Sequence, residues 1–210
     1  MKFVLRACLL VLAVAVAPAA HSALILDTGV PGGSGSQSLT TRAAQFTLSS
    51  TTTIDSIAHW LSVSTAGTAT FAVYGDAAGL PGTQLFAQAA SLAMTEGGTA
   101  PDWRGISGLA WTLPAGTYWA SYEVRPGQSI RFRRPIGGVN TLPPNPAARE
   151  ATKFSLDISA ITDPWQEAGG STGWRVSGTV AAAVPEPGTL GLLALGLLAA
   201  GAARRQLRKP

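Results

Sequence analysis

The sequence predicts an all-β fold: an antiparallel β-sandwich or jelly roll over residues 24–183, flanked by an N-terminal signal peptide and a single C-terminal transmembrane helix. Three observations carry this. Apolar and polar residues alternate with period two in many short runs of the middle segment, and no long run there repeats every 3.6 residues as a helix would. Each run stops at Gly, Pro or Asn, in a chain with 24 Gly and 14 Pro, so turns are closely spaced. Both ends are too apolar and too simple to be folded domain, which leaves 160 residues between them. That is one domain, able to bury roughly 70% of its unfolded surface. Disorder is excluded, because 46% of the residues are apolar and only 12% charged.

Taken in order, residues 1–23 begin with Lys2 and Arg6, continue through an apolar run at 7–16 and end in small residues at 17–23. This three-part order is that of a secretory signal peptide, and it implies the Sec translocon and signal peptidase as partners. A cut after Ser22 satisfies the small-x-small requirement through Ala20 and Ser22, whereas a cut after Ala23 puts His21 at the less suitable position. In the middle segment, candidate strands fall at 45–48, 53–63, 69–75, 84–92, 108–113, 116–124, 130–133, 153–158 and 174–180. Gly79-Leu80-Pro81-Gly82 and Leu113-Pro114-Ala115-Gly116 are the clearest turns, since proline presets one dihedral and glycine accepts a positive one. Residues 137–148, with Pro143, Pro144 and Pro146, are expected to form a long loop.

The tail is divided differently. Residues 188–203 are sixteen uncharged residues, about 24 Å as a helix, and with 184–187 at the interface they can cross a hydrocarbon core of roughly 30 Å. Gly191, Gly196 and Gly201 would each weaken a helix in water by up to ~1 kcal/mol, yet are ordinary in membrane helices. Arg204, Arg205, Arg208 and Lys209 follow at once and form a cytoplasmic anchor, which puts the 160-residue domain outside.

The net charge of +4 divides as +2 in residues 1–23, −1 in 24–183 and +3 in the tail. A nearly neutral domain exerts no general pull on a phosphate backbone, so no nucleic-acid partner is expected. The run Arg131-Phe132-Arg133-Arg134 reads as a solvated strand end rather than a polyanion patch. Cys8, the one cysteine, lies within the signal segment, so the mature domain holds no disulfide, thiolate zinc site or thiol nucleophile.

Little else points to chemistry. His59 is the one histidine left after signal removal, and one histidine cannot build a multi-His metal site. Without a Gly-x-Ser-x-Gly elbow, it is read as a sheet-surface histidine rather than a member of a triad. Asp76 and Asp27 are read as turn-forming rather than calcium ligands, because neither sits in an Asp-x-Asp loop. Two facing carboxylates would suffice for a glycosidase, and ten are available, so this stands as a distant alternative. No catalytic residue, metal or cofactor is expected. All six tryptophans lie in the middle segment. Stacked aromatics bind sugar rings, and Trp103 and Trp165, in loop-like sequence beside Asp102 and Asp163, are the candidate glycan contacts. In 116–124, alternation assigns Tyr118, Tyr122 and Val124 to the core and Trp119, Ser121 and Glu123 to the other face.

Val184-Pro185-Glu186-Pro187, then a short Leu/Gly/Ala helix, then an arginine cluster resembles the PEP-CTERM sorting signal of Gram-negative bacterial surface proteins. The resemblance covers 27 of 210 residues and implies an exosortase-type membrane peptidase as partner, with positions 185–187 as its recognition point. Two prolines keep such a segment extended and remove its donors. The runs at 71–82 and 113–119 are similar to a β-sandwich domain of unassigned function common among exported proteins with this signal. The expected function is therefore a non-enzymatic surface or matrix protein, exported and then processed, with exopolysaccharide as a possible partner. A glycan-binding module is the alternative.

Overall fold

The computed structural model describes residues 22–32, 35–37, 40–136, 149–154, 164–168 and 172–180, together with Gly196. All described strands belong to one compact unit, Ala20–Ala181. They are β1 (Ser22–Asp27), β2 (Gly35–Gln37), β3 (Thr40–Leu48), β4 (Thr52–Thr65), β5 (Gly67–Ala77), β6 (Leu80–Leu92), β7 (Asp102–Leu113), β8 (Gly116–Glu123), β9 (Arg131–Ile136), β10 (Glu150–Phe154), β11 (Gln166–Glu167) and β12 (Trp174–Val180). A single 3-10 turn, Glu96–Gly98, joins β6 to β7.

They form two antiparallel sheets. The first runs β1-β12-β4-β9-β2, with β7 also on β4, and the second β11-β10-β3-β8-β5-β6. The inner faces share one core: Ile54, Ile57, Leu61 and Val63 of β4 with Trp174 and Val176 of β12 meet Phe46 of β3, Phe71 and Val73 of β5, and Tyr118 and Tyr122 of β8. Each such side chain contributes roughly 1.5–3 kcal/mol on leaving water. Sheets of opposite inner faces around one core make this an all-β sandwich, as the alternation predicts.

Tyr118, Tyr122 and Val124 face this core, as expected. Trp119 lies on the opposite face, yet it too is fully buried. A second apolar cluster covers it there: Ala43, Ala72, Tyr74 and Ala151, with Leu80 and Trp165 packed alongside. Its indole Nε1 donates to Asp76 Oδ1 at 2.8 Å.

Three expectations need correction. The strand expected at 108–113 starts at Asp102, because Gly105 and Gly108 do not break it. A Cβ at Gly105 would lie 2.2 Å from the Ile57 carbonyl oxygen, so glycine permits close backbone approach there. Gly108, at φ +74°, sits beside a register shift between Ile54 and Ser56, a bulge rather than a stop. The turn after β5 comes earlier than expected: Ala77 pairs with Leu80, leaving Ala78 and Gly79 as its two central residues. Both have positive φ, 53° and 84°, as a type I′ hairpin requires. Pro81 falls inside β6, tolerable because β6 is an edge strand. Strands β1, β2 and β11 add to the strands expected from the sequence; the latter two are three and two residues long. The loop expected at 137–148 and the continuation at 155–158 lie outside the described residues.

Ala78 is the one described non-glycine residue in the left-handed region, where an L side chain costs roughly 1–2 kcal/mol. Ala78→Asn supplies the Asn-Gly pair this turn favours and should stabilise the domain by about 0.5–1 kcal/mol. Thermal unfolding of the full chain, followed by circular dichroism, should show Tm raised by about 1–4 °C.

Candidate functional site

The chain ends come first, because the processing signals sit on them. Strand β1 pairs antiparallel with β12, Ser22 opposite Thr179 and Asp27 opposite Arg175, and Arg175 Nε reaches Asp27 Oδ2 at 3.1 Å. The expected cut after Ser22 thus falls at the first residue of β1. Strand β12 ends at Val180, four residues before Val184. Residues 1–21, the motif Val184, Pro185, Glu186 and Pro187, the expected helix at 188–203 and the basic residues Arg204, Arg205, Arg208 and Lys209 lie outside the described residues, Gly196 excepted. Among the described residues no helix is long and apolar enough to cross a membrane.

At the other end of β12 the structure buries a polar centre between the sheets. His59 is not on a sheet surface: it is fully buried, with its ring stacked on Trp174 at 4.2 Å. The physical reason is its place in the series Ile57, His59, Leu61, Val63, every second residue of β4, all facing inward. Its Nδ1 lies 2.6 Å from the Gly173 carbonyl oxygen. A carbonyl can only accept, so Nδ1 carries the proton. Burial first, then the Arg134 charge, holds the imidazole well below its ordinary pKa and therefore neutral.

Arg134 is also fully buried, which corrects the reading of 131–134 as a solvated strand end. Arg131 and Arg133 are exposed, whereas Arg134 shares the inward face with Phe132 and lies 5.1 Å from that ring. Burial lowers its pKa to about 9. Arg42 of β3, 1% exposed, donates to Glu150 Oε2 at 3.4 Å. Glu150 in turn accepts from the Thr172 backbone N–H at 2.6 Å and the Thr172 hydroxyl at 2.9 Å. Burial pushes its carboxyl up to about 7, against the opposing pull of these partners. Sequence reasoning missed this centre, although period-two alternation through Phe132 and Ile57 carried the signal.

The two candidate glycan contacts are not brought together. Trp103 is in β7, not a loop, facing outward from the first sheet opposite Trp60. The Trp60 ring meets it edge-on at 5.3 Å, and the Arg175 guanidinium lies 4.1 Å over it. Trp165 precedes β11 on the outer side of the second sheet, edge-on to Tyr74 at 5.6 Å, with Lys153 Nζ 4.8 Å over its ring. Both are half-buried, and each has a cation over one ring face. They stand on opposite outer faces of the sandwich and cannot stack along one sugar chain.

The aspartates act as turn anchors. Asp76 Oδ2 accepts from the Gly79 N–H at 3.1 Å while Oδ1 takes Gln45 and Trp119. Asp27 Oδ1 accepts from the Gly29 N–H at 2.8 Å. Among the described residues no three His, Cys, Asp or Glu side chains converge to hold a metal ion.

The polar centre sets a pH dependence. In the fold Glu150 keeps its proton to about pH 7, whereas unfolded it releases it near the ordinary 4.5. Its favourable contribution is complete below the unfolded value and is lost as pH rises through the folded one. His59 acts in the opposite sense, stabilising above 6.5 and losing that contribution as pH falls below it. Glu150→Gln cannot ionise, so urea midpoints should show the variant gaining on wild type from about pH 5 to about pH 7 and no further above about pH 8.

No curated protein and no solved structure matches the chain. Residues 183–209, beginning three residues after the end of β12 at Val180, match the family model described as the PEP-CTERM protein-sorting motif.

Proposed function

We propose that this chain is an exported surface or matrix protein sorted by an exosortase-type membrane peptidase, with a non-catalytic β-sandwich as its working part. In this reading the Sec translocon exports it and signal peptidase removes the leader near residues 22–23. The segment 188–203 holds the precursor in the inner membrane, with Arg204, Arg205, Arg208 and Lys209 in the cytoplasm. The peptidase then reads Val184-Pro185-Glu186-Pro187, and the domain passes to the cell surface or the exopolysaccharide matrix. The observation that carries the reading is the sorting motif at 183–209, which begins three residues after the last described strand of the sandwich. A non-catalytic role is supported by the uses found for the polar groups. Asp27, Asp76 and Glu150 bind turns and neighbouring strands, and His59 is sealed in the core.

Replacing Pro185-Glu186-Pro187 by three alanines should leave the precursor in the inner membrane with its tail attached, read by intact mass and membrane fractionation. Unchanged processing would remove the proposal.

A glycan-binding role is the second reading, favoured by the half-buried Trp60 and Trp103 pair beside Arg175 and Asp27 on an outer face. It requires a tryptophan fluorescence shift with the producer's own polysaccharide, abolished by Trp103→Ala while the circular dichroism spectrum stays the same, and kept by Trp165→Ala on the opposite face. A shift that survives Trp103→Ala, or no shift across a broad glycan array, leaves the structural role.

A further inference from the structure

A sheet edge exposes backbone donors and acceptors to any other strand, and proteins ordinarily blunt it by shortening, bulging or charging the edge strand. The edges of this sandwich can be compared one with another. Strands β2 and β11 are three and two residues long. Strand β1 is irregular between Leu24 and Leu26 and carries Asp27. Strand β7 is bulged at Gly108 and carries Asp102 and Arg104. Strand β6 carries Pro81 and two register irregularities at its hairpin end, but its run from Phe86 to Leu92 has none of these devices.

Its partner β5 occupies one side, and the other side is the edge of the second sheet. From Phe86 to Leu92 its register with β5 is continuous, Val73 opposite Phe86 through to Gly67 opposite Leu92. The irregularities of this pair are confined to the hairpin end. Among the described residues no backbone hydrogen bond from outside the sheet reaches it. No residue between Asp76 and Glu96 is charged. Leu85 and Met94, 44% and 56% exposed, flank the regular run at its two ends.

We propose that two copies of this chain pair antiparallel through β6, joining their second sheets into one continuous sheet. The occupant is a second copy because the run is uncharged and its inner side is apolar, so a twofold pairing sets no like charges against each other and carries the apolar inner side of one copy into the next. With the twofold axis at Ala89, Phe86 lies beside Leu92 and Gln88 beside Ala90. Alternation then keeps the core-packed Phe86 and Ala90 of both copies on the inner side. Ala87, Ala89 and Ser91 form a flat outer side. Each copy carries one such edge among its described strands, so the contact is isologous and closes at two. This goes beyond sorting and does not depend on it.

The test uses the full chain in mild detergent with Cys8→Ser, so that any introduced thiol is the sole one. Ala89→Cys should yield a disulfide-linked dimer on oxidation, and Thr112→Cys on the β7 edge should not. Ala89→Lys should raise the dimer dissociation constant about fivefold or more in sedimentation experiments, while Ala89→Ser leaves it unchanged. A chain that stays monomeric, a dimer insensitive to Ala89→Lys, cross-linking at Thr112 instead, or growth beyond two copies would each overturn the proposal. Tail processing, read by intact mass in the same variants, should not change, so a failure of dimerisation and a failure of sorting are told apart.

Discussion

The backbone of the long central strand β4 must find partners along its length, on both edges over Thr52–His59, and the first sheet follows from that requirement. At fourteen residues, about 46 Å in extended form, it outruns any one neighbour. It meets β12 over Thr52–His59, β7 over Thr52–Leu61 and β9 over Ser62–Thr65. Its inward residues are then committed as a set. A one-residue slip would send Ile57, Leu61 and Val63 to solvent and bring Ala58, Trp60 and Ser62 into the core. The register that buries the aliphatic residues also buries His59, and the cost of that histidine is met locally rather than avoided.

That local solution organises the adjoining end of the sandwich. The imidazole is kept neutral by burial and by Arg134, is stacked on Trp174 and donates to Gly173. The Thr28 hydroxyl donates to the Thr172 carbonyl at 2.8 Å and accepts from the Trp174 N–H at 2.7 Å. The Thr172 hydroxyl in turn takes the Trp174 indole N–H and meets Glu150. Through these contacts β4, β10 and β12 and the segment after β1 are tied at one point by directional bonds that an apolar core would lack. Buried charge of this kind adds little net stability, because desolvation offsets the attraction. Its effect is on which strands meet, since breaking one member leaves the others uncompensated.

Much of this was legible from residue order. Alternation in 116–124 separates Tyr118 and Tyr122 from Trp119 correctly, because each side chain of a strand must face the side opposite its neighbour's. The same rule applied to Ile57-x-His59-x-Leu61 and Phe132-x-Arg134 points inward, but residue type points outward, since histidine and arginine are seldom fully buried. Here pattern outweighs type. Gly105 and Gly108 mislead in another way. Read as stops, they shorten β7 and leave Trp103 in a loop, whereas one permits close backbone approach and the other a bulge. Strands β1, β2 and β11 are hidden because short edge strands are held by their neighbours rather than by their own composition. No local rule reveals that Trp103 and Trp165 lie on different sheets, because that separation is made by chain crossings between β7 and β11.

The pairing of the first strand with the last has a consequence for processing. Since β1 and β12 run antiparallel with Ser22 opposite Thr179, the two covalent exits from the domain leave from one end of the first sheet. The polar centre, where Trp174 lies opposite His59, is at the other end of β12, about 20 Å away along the strand. A cut after Ser22 forfeits a single terminal pairing, and a cut at or beyond Val184 removes no described strand residue, since β12 is complete at Val180. Neither event reaches the core contacts of Trp174 and Val176. The edge strand β6 belongs to the second sheet, whereas both exits leave from the first. In the proposed processing, cuts at these two points therefore break no strand pairing of the described domain beyond the one at Ser22, because the first and last strands close on each other inside the cut points.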